Sequence, residues 1–187
     1  SIKNIGANPI SGYRTDNIYL SADNDLDASD VLFASITESA SMIPNSSRSL
    51  SASGSVKGVK TGNYYFIVFT DVKNNINESK DTNNTNASDI IDISIPELKM
   101  KTLTKDTLIK NKELYYRLII PDSLEGESFI VTMKGDSING INELYARFDE
   151  APTRAEFDFG YSTPFYGNQE LIIPKAKVGT YYLMAYG

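Results

Sequence analysis

The chain has 187 residues, a formal net charge of −6 at neutral pH and 41% hydrophobic residues. Nucleic-acid-binding domains usually carry a basic face, so this acidic balance argues against a nucleic-acid partner. Cys, His and Trp do not occur, which excludes Cys/His zinc sites, cysteine nucleophiles and a serine with a histidine base. No apolar run reaches the length of a membrane span, so we expect no membrane insertion. The remaining carboxylates, amides and hydroxyls suit hard cations such as calcium, and sugars.

Short apolar runs alternate with clusters of Asn, Asp, Gly and Ser, a pattern that predicts an all-β sandwich or barrel. In the first half we predict strands at Asn17–Ser21, Val31–Thr37, Arg48–Gly54, Tyr64–Asp71 and Ile90–Ile95. In the second half we predict strands at Lys99–Leu103, Leu114–Ile120, Phe129–Lys134, Leu144–Phe148, Glu170–Ile173 and Tyr181–Tyr186.

One strand opening occurs twice. A glycine and a tyrosine pair lead into an apolar run after Gly62 (GNYYFIVF) and again after Gly179 (GTYYLMAY). The two copies are separated by about the length of one domain. The sequence therefore predicts two tandem β modules, residues 1–95 and 98–187, with the connection near Pro96. Of the first pair, Tyr64 and Tyr65, we expect one side chain in the core and the other in a hydrogen bond of the tyrosine-corner type, with a ligand-binding aromatic as the less favoured alternative.

The first module carries two distinctive segments, residues 16–30 (DNIYLSADNDLDASD) and residues 62–71 (GNYYFIVFTD), the second followed by Asn77-Glu78 and Asn83-Asn84. Together they resemble CARDB, the cell-adhesion-related domain found in bacteria, over roughly residues 1–95. The resemblance implies an immunoglobulin-like β-sandwich in a long secreted or surface-attached bacterial protein. Members of that family usually open with an additional strand, so we expect the first strand to be missing here.

Residues 23–30, the acidic loop, place four carboxylates close together: Asp23, Asp25, Asp27 and Asp30. Their mutual repulsion disfavours a compact loop, and a calcium ion would relieve it by taking six to eight oxygen ligands. The alternative is a solvated hairpin loop in which the carboxylates bond their own backbone. Both remain open, and we predict Ca²⁺ as the cofactor. The run Asn75, Glu78 and Asp81 is a weaker cation candidate, for which a solvated turn is preferred.

The second module contains residues 113–121 (ELYYRLIIP), 142–148 (NELYARF), 152–158 (PTRAEFD) and 179–182 (GTYY). This series resembles the bacterial pre-peptidase C-terminal domain. The resemblance implies a jelly-roll-like β-sandwich that is usually non-catalytic and often accompanies secreted peptidases. Members of that family normally continue past the final Tyr-Gly, so we expect the last strand to be missing.

Charged and aromatic residues gather in residues 145–166. An ion-paired loop formed by Arg147, Asp149, Arg154 and Asp158 is the preferred structural interpretation. The alternative is a pocket for a sugar or a peptide, with Tyr145, Arg147, Arg154, Asp158 and Tyr161 as its ligand-binding residues and with Phe157, Phe165 and Tyr166 beside them.

Taken together, these patterns predict a non-enzymatic segment of a large secreted or cell-surface bacterial protein. Its function would be adhesion, or the spacing and presentation of neighbouring domains, which are its first expected partners. An extracellular glycan or protein ligand is the other expected partner. The alternative function is an accessory carbohydrate- or collagen-binding module attached to a secreted hydrolase.

Overall fold

The structure is a computed structural model that describes residues 1–39, 41–54, 56–135 and 140–187. The described chain is all-β, with several sheets and two short 3₁₀ helices, Asp81–Asn83 and Asp122–Leu124. It divides into two compact units. Unit 1 comprises Ser1–Val56 and Gly62–Ile93, and unit 2 comprises Lys57–Thr61 and Ser94–Gly187.

Unit 1 is built on one antiparallel sheet. Its strands are β2 (Tyr13–Ser21), β3 (Val31–Ser39), β5 (Gly62–Phe69), β6 (Thr85–Ala87) and β7 (Ile91–Ile93), in the order β3-β2-β5-β6 with β7 also paired to β5. A smaller antiparallel pair joins β1 (Ile2–Lys3) to β4 (Ser47–Arg48). Side chains alternate between the two faces of a strand. Tyr19 and Ser21 of β2 therefore share one face with their partners on β5, Ile67 and Tyr65.

Unit 2 contains two further antiparallel sheets. Their strands are β8 (Glu113–Ile120), β9 (Phe129–Met133), β10 (Glu143–Phe148), β11 (Phe159–Gly160), β12 (Gln169–Ile173) and β13 (Gly179–Tyr186). The larger sheet has the order β11-β10-β13-β8 and the smaller pairs β12 with β9. Inward-facing residues from both sheets form one hydrophobic core, with Leu171, Ile173 and Leu183 fully buried. Burying side chains of this size stabilises a fold by about 1.5–3 kcal/mol each.

The repeated Gly-x-Tyr-Tyr opening marks a central strand in each unit, because β5 lies between β2 and β6 and β13 lies between β10 and β8. At the second copy, Gly179 has a φ of +131°, and a Cβ there would lie 3.0 Å from the Phe148 ring. Only glycine fits this position without strain. The hydroxyl of Tyr181 accepts a hydrogen bond from the backbone N–H of Lys177, four residues upstream. This contact has the form of a tyrosine-corner bond.

Three of the predicted strands need correction. Lys99–Leu103 is not a strand, because Lys101 has a φ of +58° and Thr102 N–H donates to the Lys99 carbonyl in a turn. The predicted strand Arg48–Gly54 is confined to Ser47–Arg48, and Ile90–Ile95 is confined to β7. The other predicted strands lie within, or overlap, strands of the structure.

Candidate functional site

The acidic loop connects β2 to β3, and its carboxylates bind the backbone of the loop itself. Asp23 Oδ1 accepts a hydrogen bond from Asp25 N–H at 2.9 Å, and Asp30 Oδ2 accepts one from Asp27 N–H at 2.9 Å. Asp27 Oδ1 accepts from both the hydroxyl and the N–H of Ser29, at 2.6 and 2.7 Å. The Ser29 hydroxyl and then its backbone N–H lower the pKa of Asp27, because both stabilise the carboxylate form.

These bonds are the Asx-turn pattern that Asp favours in loops. Across the described residues, no three His, Cys, Asp or Glu side chains converge in a geometry that could hold a metal ion. The oxygen chemistry of Asp23, Asp25, Asp27 and Asp30 suits calcium, but the carboxylates of Asp23, Asp27 and Asp30 are turned to nearby N–H groups rather than to a common centre. Calcium binding at the acidic loop stays a prediction.

A cleft of about 440 Å³ lies beside the acidic loop on one face of the unit 1 sheet. The residues that line it come from three places in the chain: the loop (Asn24, Asp25, Leu26), strand β5 (Tyr65, Ile67) and the β6 region (Thr85, Asn86, Ala87, Ser88). Tyr65 and Ile67 point to the same face because they are two residues apart on a strand. Ile67 is paired with Ala87, and this register carries β6 along the cleft.

Sequence reasoning singled out Asp25 and Tyr65 but not the β6 side of the cleft. No local motif marks Thr85–Ser88, which lie in an Asn-rich stretch that reads as a turn. Their position depends on the pairing of β6 with β5, and that register is set by the folded sheet.

A buried ion-pair network on the opposite face of β2 was also missed. The guanidinium of Arg14 lies 2.8 Å from Asp16 and 3.0 Å from Glu38, and Arg48 approaches the other oxygen of Glu38 at 2.9 Å. The side chains of Arg14 and Asp16 are each 3% exposed. The available signal was their spacing, since residues two apart on a strand share a face.

The same network anchors the Asn- and Asp-rich segment. Asp16 Oδ1 accepts a hydrogen bond from the N–H of Asp71. The carboxylate of Asp71 in turn accepts from the N–H groups of Asn75 and Ile76. Asp71 and Asn74 have positive φ angles, which Asp and Asn tolerate better than most residues. The segment is therefore a hydrogen-bonded turn tied to the unit 1 sheet.

In unit 2, the predicted ligand-binding residues are brought together by β10 and the connection that follows it. Arg154 binds both oxygens of Glu143, at 2.6 and 2.7 Å, and lies 4.2 Å from the centre of the Tyr186 ring. The Tyr145 hydroxyl donates to Glu143 at 2.8 Å, and its ring packs on Phe157 and Tyr161. The hydrogen bond from Arg154 lowers the pKa of Glu143, whereas burial and the adjacent Glu143 raise the pKa of Tyr145.

The pairing differs in detail from the one suggested by the sequence. Arg147 binds Glu156 at 3.0 Å, and Asp158 accepts a hydrogen bond from the N–H of Phe148 at 2.8 Å. These contacts tie the connection after β10 back onto that strand. Ligand binding by Tyr145, Arg147, Arg154, Asp158 and Tyr161 stays a prediction.

Residues 1–88 match the CARDB family model. The matched segment contains the acidic loop, the Gly-Asn-Tyr-Tyr opening of β5 and the β6 side of the cleft. CARDB is a family of non-catalytic, immunoglobulin-like domains found in bacterial extracellular proteins. The antiparallel sheets of unit 1 agree with such a fold.

The CARDB match ends inside unit 1, and nothing in the comparisons supports the resemblance of residues 98–187 to the pre-peptidase C-terminal domain. That assignment stays a prediction. Searches of curated proteins and of solved structures found no match. Within the described residues, no helix is long and apolar enough to cross a membrane.

Proposed function

We propose that this chain is a non-catalytic, adhesion-related segment of a bacterial protein that acts at the cell surface or outside the cell. The observation that carries the proposal is the CARDB match over residues 1–88. The lack of His and Cys supports the non-catalytic role, because the chain cannot form a Ser-His or Cys-His nucleophilic pair.

The structure of the two units supports the same role. Each unit has its own antiparallel sheet, and unit 2 has a continuous hydrophobic core. Two β modules with sheets of their own suit a protein that displays or spaces its neighbouring domains. In direct adhesion the chain itself contacts a target, whereas in spacing it only holds neighbouring domains apart. Both are adhesion-related roles.

Antibodies raised against the chain test the location. We expect them to label intact cells of the bacterium that produces the protein, or to detect the protein in its culture medium. Labelling that requires permeabilised cells, with no protein in the medium, would contradict an extracellular role.

Beads coated with the chain test adhesion directly. We expect more coated beads than control beads to remain under flow on bacterial cell walls or on matrix polysaccharides, the control being the same protein unfolded by heat before coupling. Equal retention of both bead types would leave spacing as the function of the segment. Hydrolysis of any of these surfaces by the purified chain would overturn the non-catalytic assignment.

A further inference from the structure

The cleft beside the acidic loop presents several polar groups that the protein itself does not use. Within the described residues, the side chains of Asn24, Asp25, Tyr65 and Thr85 have no hydrogen-bond partner. The amide nitrogen of Asn86 makes one bond, to the Ala87 carbonyl, which leaves its side-chain oxygen free. Donors and acceptors that remain unpaired in a concave site are available to a ligand.

An apolar and aromatic floor lies below these polar groups. Ile67 is 1% exposed, Tyr65 is half-buried, and Leu26 brings an apolar side chain from the loop to the same cleft. The face of a tyrosine ring is the negative side of its quadrupole and attracts polarised C–H groups. Sugars combine such C–H faces with hydroxyl groups at their edges.

The mixture of donors and acceptors distinguishes a saccharide from a basic peptide. Asn carboxamides, with their N–H donors and carbonyl acceptors, and Tyr and Thr hydroxyls can each donate and accept hydrogen bonds, whereas the Asp25 carboxylate only accepts. A sugar hydroxyl also donates and accepts. A Lys or Arg side chain only donates, so it would leave the N–H groups of Asn24 and Asn86 unused.

Charge further restricts the ligand. Asp25 lines the cleft, the other three aspartates of the acidic loop lie within five residues of it in the chain, and no Lys or Arg is among the described residues that line the cleft. A carboxylated or sulfated sugar would therefore meet like charge, which is unfavourable at close range.

We propose that this cleft of unit 1 binds an uncharged saccharide. Asp25, Asn24 and Asn86 would bond its hydroxyl groups, and Tyr65 would pack against its C–H face. The inference extends the proposed adhesion role by naming a target class and the site that recognises it. Because the cleft is open to solvent, we expect a dissociation constant on the order of 0.1–1 mM for a single site.

The test is an array of neutral, amino, sialylated and sulfated oligosaccharides, probed in EDTA with the full chain held multivalently on beads. The best neutral saccharide is then titrated by calorimetry. We expect a neutral saccharide to bind, Asp25→Ala to weaken it about tenfold or more, and Asn86→Ala to weaken it several-fold. Asp25→Asn should have a smaller effect than Asp25→Ala, because it keeps an oxygen acceptor.

Two variants serve as matched controls. Asp92→Ala and Asn77→Ala remove the same side-chain types at exposed positions of unit 1 that do not line the cleft. Both should bind as the parent does, and all four alanine variants should melt within a few degrees of it.

Three results would overturn the inference. The chain could bind no neutral saccharide at millimolar concentration, or it could bind only sialylated or sulfated sugars. The third result is a neutral saccharide that Asp25→Ala and Asn86→Ala both bind as tightly as the parent does. If surface labelling of the bacterium succeeds while the array fails, the saccharide site is refuted and the proposed adhesion-related role stands.

Discussion

Arg14 Nε lies 2.8 and 2.9 Å from the two carboxylate oxygens of Asp16, and both side chains are buried on the same face of β2. A buried ion pair costs desolvation energy, and its removal as a unit is often tolerated. Removal of one partner is different, because it leaves the other charge buried and uncompensated. Asp16 has a second role, since it also accepts the N–H of Asp71.

We therefore expect Asp16→Ala to lower the free energy of unfolding by about 3–5 kcal/mol. The double variant R14M/D16L should recover a large part of that loss, because it buries no charge at these two positions. Urea unfolding followed by circular dichroism measures both. The control is Asp92→Ala, an exposed carboxylate on β7, which should change the free energy by less than about 0.5 kcal/mol. A loss below about 1 kcal/mol for Asp16→Ala would show that the pair is not critical.

The carboxyl group of Glu78 gives a pH-dependent prediction. Burial raises its pKa, a hydrogen bond with Asn84 offsets part of the rise, and the charges of Asp71 and Asp81 add to it. The folded state therefore holds the Glu78 proton more tightly than the unfolded state, so the stability contribution of Glu78 falls as pH rises through the interval just above 4.5. At pH 7 the charged form is destabilising, and Glu78→Gln should be more stable than the parent.

That advantage should shrink as the pH is lowered through the same interval and vanish below it, where both states are protonated. Urea unfolding at several values between pH 4 and pH 7 measures the difference. The control is Glu170→Gln, at an exposed position on β12, which should show little dependence on pH. An advantage for Glu78→Gln that stays constant across this range would contradict an electrostatic cause.

Calcium at the acidic loop is testable by titration. The carboxylates of Asp23, Asp27 and Asp30 would have to give up their bonds to the loop backbone, so we expect weak affinity, in the range of about 10⁻⁴–10⁻³ M seen in extracellular modules. Calorimetry should show heat with the parent and much less with Asp27→Ala. The absence of any heat, together with equal melting in EDTA and in excess calcium, would favour the self-bonded loop.

The segment Lys57–Thr61 belongs to unit 2, and Val59 within it is 8% exposed. Thr61 Oγ1 accepts a hydrogen bond from Ile95 N–H. We expect Val59→Ala to destabilise unit 2 by about 1–2 kcal/mol through lost apolar burial.

Hydrogen exchange should locate the effect of Val59→Ala. Amides of β8 and β13 should exchange faster, and those of β2 and β3 should not change. Val56→Ala, at the end of the first unit 1 segment, is the matched control, and we expect it to leave the exchange of β8 unchanged. Faster exchange in β2 and β3, with β8 and β13 unchanged, would show that Val59 stabilises unit 1 and not unit 2.

The sequence predicted the all-β class and most long strands because their apolar runs are bounded by turn residues. It failed at Lys99–Leu103, where the apolar residues Met100 and Leu103 suggested a strand although the backbone turns at Lys101. It also missed the role of Arg14 and Asp16, because the predicted strand begins at Asn17, after both residues, whereas β2 begins at Tyr13, and charged residues are rarely buried. One wall of the cleft was visible as the acidic loop. The other wall depends on strand register, which local patterns do not encode.

The division of unit 2 between two stretches of chain has a consequence during translation. Lys57, Gly58 and Lys60 emerge from the ribosome 56 to 89 residues before Glu113, Tyr115 and Asp149, to which they bond. At about 5–20 residues per second, this delay lasts about 3–18 s. Unit 1 is fully synthesised at Ile93, so it can form while this five-residue stretch still lacks its final neighbours. The nascent protein thus carries an unsatisfied segment whose partners arrive only with the C-terminal half.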